Sequence, residues 1–106
     1  MFSNNFLKLK ELIIAPGKGM SFQRHFLRNE IWFISKGKCS VNYSKKDPEN
    51  YEEISLNTED TFHVQKESWH QIFNPFDQAC HIIEIQYGEE TNEEDIERLR
   101  YYKNED

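Results

Sequence analysis

What these 106 residues lack narrows their function before any motif is read. There is no length for a second hydrophobic core, so the chain reads as a single domain spanning residues 1–106. There is no excess of basic residues, since 13 Lys and Arg stand against 19 Asp and Glu for a formal charge of −6. Without a basic stripe carrying interleaved aromatics, nucleic acid is not expected as a partner. No window nears the roughly 18 apolar residues that a membrane span needs. The opening MFSNNFLKLKE also lacks the apolar stretch of a signal peptide. The expectation is a soluble, cytoplasmic protein without a membrane partner. Cysteine is scarce: Cys39 and Cys80 stand far apart with no CxxC pair, and both are expected to be reduced thiols. Internal repeats and low-complexity tracts are missing too.

What is present is aromatic mass and turn punctuation. Eight Phe, five Tyr and two Trp carry large buried area per residue and can fill a small interior. Short strand-like runs recur at close spacing: residues 6–14, 21–26, 30–35, 39–44, 51–56, 61–64, 68–73 and 80–87. Pro16-Gly17, Lys36-Gly37-Lys38, the polar stretch around Pro48, Asn57 to Asp60 and Asn74-Pro75 separate them. Such spacing without intervening helices predicts an all-β sandwich or barrel rather than a parallel α/β sheet. The tail alone departs. Thr91 with Glu94 fits a capping box, and Ile96, Leu99 and Tyr102 recur every three residues, which predicts a short α-helix over about residues 92–102.

Strand alternation puts Gln23 and His25 on one face, and Glu30 can join them from the next strand. With His70 they offer imidazole nitrogen, carboxylate oxygen and amide oxygen. This mixed set suits a divalent transition metal such as Zn, Mn, Fe, Co or Ni, without the thiolates of a structural zinc site. Four protein ligands leave positions open for water or substrate, which Lewis-acid chemistry needs. A lone histidine in a β protein usually sits on the surface or in a hydrogen-bonded core, and His63 and His81 are read that way. Spacing sets His25 and His70 apart. Five residues lie between Gly17 and Gln23, one between Gln23 and His25, four between His25 and Glu30, six between Glu30 and Gly37, and three between His70 and Asn74.

That spacing resembles both halves of the cupin signature, with Gln23 in place of the first histidine. Glu59, Gln65 and Glu67 stand where the second half usually has Gly, Pro and Gly. The resemblance implies a jelly-roll barrel with a core over about residues 12–88 and the metal on Gln23, His25, Glu30 and His70. The amide oxygen of Gln23 is a weaker donor than the imidazole it replaces, which lowers the expected affinity.

A narrower likeness rests on Pro16-Gly17, Ser21-Phe22-Gln23-Arg24-His25, Arg28, Glu30, Trp32 and Gly37 near the start. Ile83-Glu84-Ile85-Gln86-Tyr87-Gly88 and Glu94-Asp95-Ile96-Glu97-Arg98 carry it near the end. These segments look like the cupin domain of type II mannose-6-phosphate isomerases. The resemblance implies interconversion of aldose and ketose sugar phosphates, with Glu84 and Arg28 as catalytic residues and substrate contacts from Arg28, Trp32, Gln86 and Arg98. Such domains often follow a mannose-1-phosphate guanylyltransferase that feeds GDP-mannose synthesis, an activity for which this chain is too short. After Arg98 the family pattern runs on to Asp-x-Tyr-Gly-Arg, whereas here Leu99-Arg100-Tyr101-Tyr102-Lys103 follows. That departure keeps two alternatives open: a non-catalytic cupin that binds a sugar or other small ligand, and another cupin metalloenzyme such as a dioxygenase.

If the ligand residues point inward, alternation sends Phe22, Phe26, Ile31, Phe33, Trp69 and Phe73 to the opposite face. A patch of that size predicts a homodimer formed through these strands.

Overall fold

Every strand expected between residues 6 and 87 forms, to within two residues at each end. The structure is a computed structural model that describes residues 2–4 and 6–103. In chain order the strands are β1 (Phe2–Ser3), β2 (Leu7–Ile14), β3 (Phe22–Arg24), β4 (Arg28–Lys36), β5 (Cys39–Ser44), β6 (Glu52–Leu56), β7 (Thr61–Val64), β8 (Trp69–Phe73), β9 (Cys80–Gly88) and β10 (Glu97–Arg100). They make two five-stranded sheets, ordered β1-β2-β9-β4-β7 and β10-β3-β8-β5-β6. All pairing is antiparallel. The result is the expected all-β barrel of the double-stranded β-helix type. Among the described residues no helix is long and apolar enough to cross a membrane.

The inward face changes character along the first sheet. Ile14 opposite Cys80, and Leu12 with Ile34 flanking Ile82, form apolar rows. They pack with Val41, Leu56, Val64 and Ile72 into the hydrophobic core. The next two rows are Lys10, Glu84, Trp32 and then Lys8, Gln86, Glu30. One end of the barrel is therefore sealed by hydrocarbon while the other holds charged and amide side chains. That gradient places the site.

Three expectations need correction. The tail is not a helix: residues 97–100 form the edge strand β10 beside β3. Thr91 does not cap a helix either, because its hydroxyl donates to the Asn4 carbonyl at 3.0 Å. An isolated helix of about ten residues has little stability of its own, and the short strand β3 leaves an edge of unpaired amides and carbonyls that a strand can satisfy. The second correction concerns the cysteines. Cys39 and Cys80 open β5 and β9, one in each sheet, and are joined as a disulfide with Cα atoms 6.0 Å apart. Their 41-residue separation in the chain concealed that both strands start at the same end of the barrel.

The third is the apolar outer patch. Phe22, Trp69 and Phe73 are buried, not exposed. Arg100 of β10 lies over the Phe22 ring at 4.9 Å, and Arg24 lies over Trp69 at 4.6 Å. Tyr102 stacks on Phe73 with ring centroids 5.2 Å apart. The chain's own C-terminal segment covers this face. Phe26 and Phe33 remain exposed and Ile31 half-buried.

Glu59 and Glu67, which occupy positions usually given to glycine, adopt the glycine conformation all the same, with φ of 76° and 69°. The amide of Glu59 donates to the Ile34 carbonyl at 2.7 Å, and that of Glu67 to the His25 carbonyl at 2.6 Å. Those bonds hold two non-glycine residues in the left-handed region, at a cost of roughly 1–2 kcal/mol each. Glycine relieves that cost but gives back roughly 0.5–1 kcal/mol through its freer unfolded chain. Glu59→Gly and Glu67→Gly are each predicted to raise stability by up to about 1 kcal/mol, read as a rise of a few degrees in thermal midpoint. A lower midpoint for both variants would show that the carboxylates earn their place in these turns.

Candidate metal centre

The His25, Glu30 and His70 side chains meet at the charged end of the barrel, with Gln23 paired to His70 in the sheet. Gln23 lies on β3 directly opposite His70 of β8. His25 follows β3 immediately, and Glu30 comes from β4. All four are buried. One donor atom each from His25, Glu30 and His70 lie within 4.8 Å of one another. His25 Nε2 is 3.3 Å from Glu30 Oε2, and His70 Nε2 is 3.9 Å from Glu30 Oε1.

The rings are held from behind. His25 Nδ1 lies 2.6 Å from the Asp95 carbonyl, and His70 Nδ1 lies 3.2 Å from the Ser68 carbonyl. A backbone acceptor at Nδ1 fixes the proton there and leaves Nε2 with its lone pair directed at the centre. His70 Nε2 is buried with no hydrogen-bond partner in the described structure. A buried nitrogen lone pair without a donor is costly, and a metal ion would satisfy it. The donor set, its convergence and this orphaned nitrogen fit a divalent transition metal.

Both imidazoles are kept neutral, the state that binds metal. Burial is the main cause at His25, reinforced by the Arg28 guanidinium, and brings its pKa to about 4. Burial, with His25 as a like-charged neighbour, takes His70 to about 3. Arg28 is itself buried, its Nε and one Nη each 3.0 Å from Glu30 Oε2, and that Nη also 3.0 Å from His25 Nε2.

Glu84 and Gln86 both face the interior. Trp32 ties the second carboxylate to the first, since its indole N–H donates to Glu84 Oε1 at 2.9 Å and lies 3.2 Å from Glu30 Oε1. The Gln86 amide donates to Glu84 Oε2 at 2.9 Å. Burial, followed by the Glu30 carboxylate, pushes the Glu84 pKa above the ordinary carboxylate value. Arg98 stands apart from this group. It is exposed on the edge strand, in register with Gln23. His63 bonds Tyr87 and His81 pairs with Glu11, both away from the centre.

Sequence reading missed three contributors. Lys8 and Lys10 point inward from β2 beside Gln86 and Glu84, a position that the alternation of Lys8, Lys10, Leu12 and Ile14 already encodes. Asp95, expected inside a helix, accepts from the backbone amides of Phe26 and Leu27 at 2.9 and 2.8 Å. It thereby fixes the turn that presents His25.

Because both folded-state histidine pKa values lie below the ordinary 6.5, the unfolded chain binds more protons as pH drops under 6.5. Stability is full above pH 6.5 and falls toward pH 4, by up to about 1.4 kcal/mol per pH unit for each ring. Denaturant unfolding of the metal-free protein at pH 7.5, 6 and 5 checks this. A slope that is unchanged in His70→Gln would show that the ring is not the group responsible.

Comparison with known proteins places the chain in a family and a fold. The family described as "Mannose-6-phosphate isomerase C-terminal" matches residues 1–101. Alginate biosynthesis protein AlgA of Pseudomonas aeruginosa is 30% identical over 92 residues, covering 87% of this chain and 18% of that protein. A mannose-1-phosphate guanylyltransferase of Sinorhizobium fredii is 27% identical over 99 residues, covering 93% of this chain and again 18% of the relative. The chain thus spans less than a fifth of the length of these relatives. In fold, a dTDP sugar isomerase from Desulfovibrio desulfuricans superposes with a TM-score of 0.75 at 13% identity, covering 93% of this chain and 68% of that one. A cupin 2 conserved barrel protein from Salinispora arenicola gives 0.66 at 19% identity, covering 80% and 66%. The chain belongs to the family of mannose-6-phosphate isomerase C-terminal domains and is built on a cupin barrel.

Proposed function

We propose that this protein is a metal-dependent isomerase of phosphorylated sugars, similar to mannose-6-phosphate isomerase, acting in carbohydrate or nucleotide-sugar metabolism. One observation carries the reading: a converging His25, Glu30 and His70 donor set lies next to Glu84, a buried carboxylate of raised pKa. Gln23 completes the ligand set. A divalent transition metal held there would polarise the C1 and C2 oxygens of an open-chain sugar.

The chain's own groups do the rest. Glu84 takes the proton from C2 of the aldose to form a cis-enediol and returns it to C1, while the hydroxyl proton passes from O2 to O1. Its raised pKa brings it nearer the pH at which a carboxylate both accepts and gives up a proton. Gln86 and Trp32 fix the two Glu84 oxygens and line the substrate pocket. Arg28 pairs with Glu30 and supplies positive charge for binding substrate, while Arg98, exposed on the edge strand, stays outside this group. Outside the barrel, Leu9, Ile13, Phe33 and Ile83 are each at least 37% exposed on the first sheet. This is the face on which we place a second copy of the chain, in place of the covered patch on the other sheet.

The purified protein is predicted to contain metal and to interconvert mannose 6-phosphate and fructose 6-phosphate in a chelator-sensitive way. His70→Ala loses the metal. Glu84→Gln keeps it while turnover falls at least about 100-fold. Bound metal without turnover would replace the isomerase by a ligand-binding cupin, and no metal after reconstitution would remove the site. Light scattering is expected to give a dimer that Phe33→Lys with Ile83→Lys splits, whereas a monomeric parent protein would refute the interface.

A further inference from the structure

Three cations converge where the barrel opens, and the chain places one of its own carboxylates among them. Lys8 and Lys10 project inward from β2, in register with Gln86 and Glu84. Their side chains are only 15% and 25% exposed. Half-buried lysines need partners. Lys10 has Glu84, with its Nζ 3.6 Å from Oε2, and Arg28 has Glu30 at 3.0 Å. Among the described residues, the only carboxylate partner of Lys8 is Glu93, at 2.6 Å, on the segment joining β9 to β10. Glu93 Oε1 also lies 3.8 Å from Lys10 Nζ. An Arg28 Nη approaches the neighbouring Asn92 carbonyl at 3.5 Å. Yet Glu93 stays 62% exposed, so water and solutes reach the same spot.

We infer that Lys8 and Lys10, with Arg28, form a subsite for the phosphate monoester of the substrate, and that Glu93 is a built-in carboxylate which the phosphate displaces. The inference rests on the sugar-phosphate reading above and deepens it. A phosphate dianion can accept from both ammonium groups and from the guanidinium at once, where one carboxylate oxygen now serves the lysines. The lysines hold the Glu93 carboxyl below the usual carboxylate range, so it is a charged competitor at neutral pH. Its exposed position makes it a weak one, since exposed ion pairs contribute little. The arrangement keeps the lysines paired while the site is free, and reserves the strong contact for a ligand carrying more charge.

A purely structural strap has the same contacts and predicts a different outcome. Calorimetric titration of the metal-loaded protein with inorganic phosphate, mannose 6-phosphate and mannose separates the two. The subsite predicts binding of both phosphates, with affinity falling about tenfold or more in Lys8→Ala and in the milder Lys8→Gln. Glu93→Gln is predicted to bind about threefold more tightly than the parent protein, because its competing charge is gone. Metal content and thermal midpoint, measured on the same samples, exclude misfolding as the cause. Unchanged or weaker binding in Glu93→Gln, unchanged binding in the Lys8 variants, or equal binding of mannose and its phosphate would overturn the subsite. Loss of the isomerase reading looks different: phosphate binding follows the lysines and Glu93 as described, while the parent protein shows no turnover.

Discussion

Two carboxylates, Glu30 and Glu84, are buried in one small barrel and share a single indole N–H. Everything around the site follows from the cost of that arrangement. Unpaired carboxylates in a protein interior cost several kcal/mol each, so the fold must bring in positive charge, protonate one of the pair, or do both. Positive charge is supplied: Arg28 compensates Glu30 and Lys10 approaches Glu84, while burial and the Glu30 carboxylate raise the Glu84 pKa. Trp32 belongs to the same solution: its ring completes the core while its N–H holds the two acids in fixed relation. The like-charge strain that a purely structural protein would avoid leaves a carboxylate of raised pKa beside the His25, Glu30 and His70 cluster.

The C-terminal segment performs a second task that the barrel cannot do alone. Residues 89–96 cross the open end, where Asp95 buttresses His25 through its carbonyl and the following turn through its carboxylate. Strand β10 then seals the edge of β3, with Glu97 bonding Arg24 at 2.8 Å and Arg100 covering Phe22. One stretch of chain thus orients His25, closes a sheet edge and covers the aromatics of β3 and β8. Disturbing it is expected to loosen His25 before it loosens the core.

Much of this was legible in the sequence, for physical reasons that differ by residue. Strands announce themselves through period-two alternation and turn residues, so β2 through β9 could be read nearly to their ends. The spacing of Gln23, His25, Glu30 and His70 survives translation into space because the first three lie on or beside adjacent strands and His70 is locked opposite Gln23. What failed was long-range. Nothing local in Thr91 to Tyr102 reveals that an edge of β3 awaits it, so helical periodicity prevailed over a strand fixed by tertiary pairing. Cys39 and Cys80 carry no signal of meeting, because the topology alone aligns the starts of β5 and β9. The Glu59 and Glu67 turns went the other way. Their residues argued against a glycine-like backbone, and the surrounding hydrogen bonds impose it nonetheless.

The claim that supports the rest is that His25, Glu30 and His70, with Gln23, bind one metal ion. Anomalous diffraction from crystals of the metal-loaded protein, recorded on both sides of the metal's absorption edge, tests it most directly. The account predicts a single strong peak within coordination distance of His25 Nε2, Glu30 and His70 Nε2, lost in His70→Ala. A peak elsewhere on the molecule, or full density for both histidines with no peak between them, would contradict it.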